Sequence, residues 1–326
     1  MKKQKIVTIG GGSGSFMVLS GLKKYPADLS AIVGMADDGG STGVLRDELG
    51  VLPPGDARQC LIALAKAGPA LKELFNYRFD EGGFKGHAFG NLFLAAMEKA
   101  SGDFNQAVKT AGSVLKVKGR VLPSTLRSVR LVAVLKNNRK IIGENKIYGN
   151  TSDLINLKRL YLKPEAELNP EAEAAIKAAD KIIINPGDLY CSLIPNFLVK
   201  GTAEALAKTK AKIIYVANLI TKPGQTDNFT VVDYLRAIEK YSGKGIIDYV
   251  IYNKEMPGDD FLKKHLRPGE KLVMAGDIDK FKKIKLLGYN LLSRKVFQAK
   301  KGDALSNLRS LIKHDPDKLA KIIYNL

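Results

Sequence analysis

Four short apolar runs each end in a polar, glycine-bearing loop, and this recurrence limits most what the chain can fold into. Residues 6–9 lead into Gly10-Gly11-Gly12-Ser13-Gly14, and residues 29–35 into Asp37-Asp38-Gly39-Gly40-Ser41-Thr42-Gly43. Residues 181–184 lead into Asn185-Pro186-Gly187-Asp188, and residues 213–217 into Asn218-Leu219-Ile220-Thr221-Lys222-Pro223-Gly224. Helical spacing fills most of the intervals. Strands joined this way run parallel, because parallel neighbours need a crossover segment. In an open parallel sheet all carboxyl ends of the strands face one side, and ligands bind there. The loops are therefore expected to meet in one crevice of an α/β fold.

The middle of the chain departs from the alternation. Residues 56–115 read as helical, with Leu61, Leu64 and Ala65 and then Leu92, Ala95 and Ala96 at helix spacing. Residues 128–135 and 140–147, around the polar turn 136–139, read as an antiparallel hairpin. Alternation resumes with helices at 195–208 and 228–240, a strand at 246–252 and a last strand at 271–274. No repeat, low-complexity tract or linker is evident, so residues 1–326 are expected to form a single domain.

Composition narrows the classes. No segment approaches the run of about 18 apolar residues that a transmembrane helix needs. The basic start MKKQK precedes an apolar stretch too short for the core of a secretion signal. Cys60 and Cys191 are far apart, without a CxxC, which implies two reduced thiols in a cytoplasmic protein. The net charge of +19 would attract anions. Its lysines are scattered along predicted helices (Lys200, Lys208, Lys210, Lys212; Lys280, Lys282, Lys283, Lys285), rarely beside aromatics, and lysine outnumbers arginine. Base readout favours arginine, so a solvated basic surface is expected rather than a nucleic-acid interface.

The loops carry candidate chemistry. Gly11, Gly12, Ser13 and Gly14 let the backbone approach an anion at the start of a helix, where free N–H groups and a positive dipole end are available. A tight strand-to-helix turn is the plainer reading. The dinucleotide pattern GxGxxG is broken at Ser15 or Met17, which disfavours an NAD(P)-dependent oxidoreductase, and no GK[ST] follows. Asp37 and Asp38 stand where an acid would meet a ribose hydroxyl, or where a carboxylate pair would hold magnesium between phosphates. Either could instead cap the next helix. Asp56 has the same double reading. His87 and Asn91 open a further predicted helix and are candidates to reach the crevice. No HExxH, GxSxG or Ser/His/Asp set is present.

Taken in order, GGGSG, ADDGGSTGVLRDELGVLPPGDARQCLIALA, GHAFGNLFLAAM, PGDLYCSLIPNFLV, ANLITKPGQTDNFTVVDYL and the tail KHDPDKLAKII resemble the CofD-like (phospholactate transferase) superfamily, and more closely its bacterial gluconeogenesis-factor, YvcK-type branch. The resemblance implies a modified Rossmann-like, mostly parallel sheet flanked by helices, with an inserted helical segment. It implies a nucleotide-sugar ligand such as UDP-N-acetylglucosamine, a role in cell shape, envelope synthesis and carbon metabolism, and residence in the cytoplasm; a homodimer is compatible with it. Carried over by motif, Gly11 to Gly14 would meet phosphates. Asp37 and Asp38 would be catalytic or metal-holding, beside Ser41, Thr42, Asp56 and Arg58. Asn91, Gly187, Asp188, Leu189, Asn218, Thr221 and Gly224 would line the nucleotide side.

Two departures stand out from that pattern. Asp188 replaces a serine and would repel a phosphate unless a metal intervened, and Lys313 replaces an arginine and loses its bidentate geometry. The transferase branch offers the alternative of phospholactyl transfer from a nucleotide-activated donor with magnesium. A basic scaffold or nucleic-acid-binding protein is the reading from outside the family.

Overall fold

The computed structural model describes residues 3–150, 152–278, 283–294 and 310–326. Among the described residues ten strands are formed: β1 (Gln4–Ile9), β2 (Ala27–Val33), β3 (Arg120–Pro123), β4 (Arg130–Leu135), β5 (Lys140–Ile142), β6 (Leu157–Lys163), β7 (Lys181–Ile184), β8 (Lys212–Val216), β9 (Tyr249–Asn253) and β10 (Lys285–Tyr289). Seven make one sheet in the order β10-β9-β8-β7-β1-β2-β3, every neighbouring pair parallel. The chain builds outward from β1 in one direction and then, from β7, in the other. The strand order thus reverses between β1 and β7, where an open parallel sheet leaves a crevice at its carboxyl edge.

Central strands buried on both faces need continuous apolar residues, and β7 (KIII) and β8 (KIIYV) supply them. Their side chains alternate between two cores. Ile182, Ile184, Ile213 and Tyr215 enter the core on one face, while Ile183, Ile214 and Val216 enter the core on the other. Each such side chain contributes about 1.5–3 kcal/mol through burial. On the second face the helix Gly12–Leu22 packs between the helices Gly55–Leu64 and Pro316–Asn325. Gly21 permits this approach, since a Cβ there would fall 2.1 Å from the Pro316 carbonyl oxygen.

The expected helical stretch is present as Gly55–Leu64, Pro69–Asn76, Phe89–Ser101 and Phe104–Val114, interrupted at glycine and polar turns. The expected hairpin is present but shorter. β4 pairs with β5, yet the second strand ends at Ile142 rather than 147. Gly143, at φ +107°, turns the chain into the helix Glu144–Gly149. β6 then completes a three-stranded antiparallel sheet, β5-β4-β6, whose Leu131, Ala133, Leu160 and Leu162 join the first-face core. Its partly exposed pattern hid β6 from a sequence reading.

Four further expectations change. Residues 271–274 form no strand; Leu272 makes a single bridge to Ile220, and β10 is the edge strand. The helix expected over 195–208 is two pieces, Ile194–Phe197 and Thr202–Lys208, separated at Gly201 with φ +96°. The one expected from 228 begins at Val231, capped reciprocally by Thr230 and Asp233. Among the lysines assigned to helices, Lys212 and Lys285 open strands β8 and β10, and Lys280 and Lys282 lie outside the described residues.

Candidate functional site

A hollow of about 420 Å³ opens over the carboxyl ends of β1, β7 and β8. Ser13 and Gly14 come from the loop after β1, Pro186, Gly187 and Asp188 from the loop after β7, and residues 218–223 from the loop after β8. Three of the four glycine-bearing loops therefore converge as expected. Gly14 is set by this convergence: a Cβ there would sit 1.6 Å from the Pro186 carbonyl oxygen. The helix Gly12–Leu22 starts at the hollow's wall with no acidic residue in its first turn. Its first N–H groups have no partner within the helix, and its positive end favours an anion.

Cationic groups surround this end. The Lys313 Nζ lies 3.3 Å from Ser13 Oγ, and Arg267 lines the same space. Lys222 Nζ donates to the Asp188 carboxylate at 2.6 Å and stands 3.0 Å from the centre of the Tyr148 ring. Asp188 also accepts from Cys191 N at 3.0 Å, closing the π-helical turn Leu189–Leu193. The carboxylate expected to repel a phosphate unless a metal intervened is thus offset by a lysine of the same crevice. Beside Lys313, His314 is buried with Nε2 3.1 Å from the Ala217 carbonyl oxygen. Burial lowers its pKa to about 4, so at neutral pH it is uncharged, donates from Nε2 and keeps Nδ1 as an acceptor.

The acids form a separate group behind the glycine loop. Asp56 Oδ1 accepts from Gly12 N at 2.8 Å, and a Cβ at Gly11 would fall 1.8 Å from Asp56 Oδ2. Asp37 Oδ1 accepts from Gly39 N at 2.9 Å, while its Oδ2 approaches Gly55. Glu144 joins them. Burial raises its pKa well above the usual carboxylate range, and the charges of Asp37, Asp188, Asp56 and Asp38 raise it further. Asp38 serves a different purpose: Oδ1 accepts from Asn145 N at 2.7 Å and Oδ2 lies 3.3 Å from Arg130 Nη1, tying the antiparallel sheet to the loop after β2. Both of its oxygens are directed at the antiparallel sheet, whereas Asp37 Oδ1 turns to its own loop. Among the described residues no group of three His, Cys, Asp or Glu side chains is placed to hold a metal.

The remaining expected residues divide. Ser41 Oγ lies 3.1 Å from His87 Nδ1 and accepts from Asn91 Nδ2 at 3.2 Å. Arg58 Nε donates to Asn91 Oδ1 at 2.8 Å and Arg58 Nη1 to Asn76 Oδ1 at 3.1 Å. This buried network, with Thr42 packed under Gly55, locks the helices Gly40–Leu49, Gly55–Leu64 and Phe89–Ser101 together and lines no part of the hollow. Asn218 faces the hollow and donates to the Gly187 carbonyl oxygen at 2.6 Å, and Thr221 Oγ1 accepts from Lys271 N at 3.0 Å. Leu189 is buried beneath the hollow, and Gly224, at φ +75°, turns the loop just beyond it.

Sequence reasoning passed over Lys222, Tyr148, Glu144, Arg267, Glu270 and His314. Lys222 stood inside a quoted loop, and the Pro-Gly turn at residues 268–269 marked the segment carrying Arg267 and Glu270. Tyr148 and Glu144 lay in what read as a strand, and nothing in the sequence aimed them here.

The family described as 2-phospho-L-lactate transferase CofD matches residues 6–297. A relative in Clostridium acetobutylicum is 42% identical over 325 residues, covering 99% of this chain and 69% of its own. The gluconeogenesis factor of Bacillus subtilis is 39% identical over 329 residues, covering 100% of this chain and 98% of its own. A crystal structure of a UPF0052 family member from Bacillus halodurans superposes with a TM-score of 0.90 at 34% identity, over 99% of both chains. With the fold, its crevice and these likenesses in agreement, the chain belongs to the CofD family, among the relatives named gluconeogenesis factor.

Proposed function

We propose that the crevice binds a nucleotide-sugar of the UDP-N-acetylglucosamine kind, and that the protein acts in the cytoplasm as a ligand-sensing regulator of carbon metabolism and envelope synthesis. The observation that carries this reading is the placement of a helix N-terminus, Lys313 and Lys222 around one hollow at the reversal of strand order. A diphosphate is the part of such a ligand that these groups recognise, by N–H donation and by charge. The hollow lies within the size range of small-molecule sites, about 300–1,000 Å³. Isothermal titration calorimetry with UDP-N-acetylglucosamine is expected to give a dissociation constant of about micromolar order. Lys313→Ala is expected to weaken it about tenfold, and absence of heat with every nucleotide-sugar would overturn the reading.

A transferase is the second reading, and the acids behind the glycine loop favour it. Burial, and then the charges of Asp37 and Asp56 among others, push the Glu144 carboxyl well above the usual carboxylate range, which favours a proton holder next to the anion-binding helix. If a group is transferred, Asp37→Asn should lower turnover far more than ligand affinity. Equal loss of both would mark Asp37 as a positioning group for the loop alone.

A further inference from the structure

The opposite edge of the sheet holds a second hollow, of about 710 Å³, bordered by Lys210, Lys212, Lys244, Lys283 and Lys285. The register explains their meeting. Lys212 opens β8, Tyr249 opens β9 and Lys285 opens β10, and Lys285 pairs with Tyr249. Both ammonium groups stand over the Tyr249 ring, at 5.9 Å for Lys212 and 5.6 Å for Lys285. Lys210 precedes β8, Lys244 follows the helix Val231–Ser242 and Lys283 precedes β10, so all five reach the amino edge of parallel strands.

Folding accounts for one of them. Lys212 Nζ donates to the Leu326 carbonyl oxygen at 2.6 Å, beside Lys181, which donates to Ile323 and Tyr324; together they cap the helix Pro316–Asn325. Lys210, Lys244, Lys283 and Lys285 have no ion pair among the described residues. Asp248, the acid in the lining, accepts from Ile213 N at 2.8 Å. Collecting like charges around one concavity costs stability through repulsion, so their purpose lies outside folding.

We propose that this hollow is a second anion site, separate from the crevice, that takes a compact small molecule carrying several phosphoryl groups. Three features select this class. The lysines ring a concavity of small-molecule size instead of following a stripe. They are point charges on flexible stems, without the planar fork that reads a base or a single phosphate bidentately. The aromatic ring at the site is covered by its own lysines, whereas single-stranded nucleic acid needs exposed stacking faces, and the lysines border a concavity that a flat membrane surface does not enter. Leu206, Ala211 and Ile213 beneath the rim are buried.

The test is calorimetric titration of the full chain with inorganic tripolyphosphate at low ionic strength. The wild type should bind. Lys244→Ala/Lys285→Ala and, independently, Lys210→Gln/Lys283→Gln should each weaken binding at least about tenfold, with melting by circular dichroism unchanged. In a Lys313→Ala background, which removes a crevice cation, each lysine pair should still weaken binding at least about tenfold. The proposal is overturned by no binding, by binding indifferent to both lysine pairs, or by loss of the lysine-pair effect in the Lys313→Ala background. Tighter binding of a single-stranded oligoribonucleotide or a phosphatidylglycerol vesicle through the same lysines would also overturn it, in favour of a polymer or membrane surface.

Discussion

The Lys222 ammonium sits 2.6 Å from the Asp188 carboxylate in the wall of the crevice, both largely shielded from water. A carboxylate here would oppose a phosphate-bearing ligand, and the lysine cancels that charge while adding a donor. Removing one member leaves the other charge exposed to the site. Lys222→Met is therefore predicted to weaken nucleotide-sugar binding about tenfold or more, and Asp188→Asn in the same chain to recover part of the loss. A double-mutant cycle by calorimetry checks this; additive losses would show that the two residues act separately.

Gly14 tests the convergence of two loops. A methyl group at this position meets the backbone carbonyl of Pro186, which cannot swing aside as a flexible side chain would. Gly14→Ala is predicted to cost about 2–4 kcal/mol and to weaken ligand binding, because the two loops must part. Gly12→Ala meets open space at φ +63° and should cost only about 1 kcal/mol. Urea denaturation of the two variants gives the comparison, and equal costs would contradict it.

His314 makes stability depend on pH. Its folded pKa is about 4 against an ordinary 6.5, so between these values the unfolded chain binds more protons than the folded one. Stability is complete above about pH 6.5 and falls as pH drops toward 4, by about 3 kcal/mol in all. Glu98, raised to about 6 mainly by burial, works in the opposite sense, losing stability as pH rises from 4.5 through 6. It is only half buried, and its share is about 1 kcal/mol after screening by solvent. The histidine wins. His314→Gln should flatten the acid limb of denaturation curves measured from pH 7 to 4, and an unchanged limb would assign the slope to other groups.

Asp38 separates architecture from metal binding. Its two oxygens hold Asn145 N and Arg130, so Asp38→Asn is predicted to cost about 1–2 kcal/mol of stability by thermal melting. Ligand affinity with and without magnesium should stay within about twofold of the wild type. Loss of a magnesium effect in this variant would give Asp38 a metal-holding role instead.

How much of this was legible in the sequence depended on range. Buried parallel strands such as β7 and β8 announce themselves by unbroken apolar residues, and the glycine loops announce close backbone approaches, which Gly11 and Gly14 confirm. The meeting of three loops followed from strand polarity alone. Side-chain direction did not. Asp37 and Asp38 are adjacent in sequence, yet one turns back to its own loop and the other reaches the antiparallel sheet. Ser41, Arg58 and Asn91, with the half-buried His87, hydrogen-bond to one another outside the lining of the hollow, a pairing no sequence pattern announces. Tyr148 reaches the hollow, and Glu144 the acids behind it, because Gly143 ends β5 early, a backbone event with no periodic signal.

Ligand binding depends on the loops after β1, β7 and β8 acting as one surface, and hydrogen–deuterium exchange on adding UDP-N-acetylglucosamine tests that most directly. Protection should rise together in residues 10–17, 185–191 and 218–224, with residues 37–43 changing less. Protection confined to one of these loops, or appearing only at the lysine-lined edge of the sheet, would contradict it.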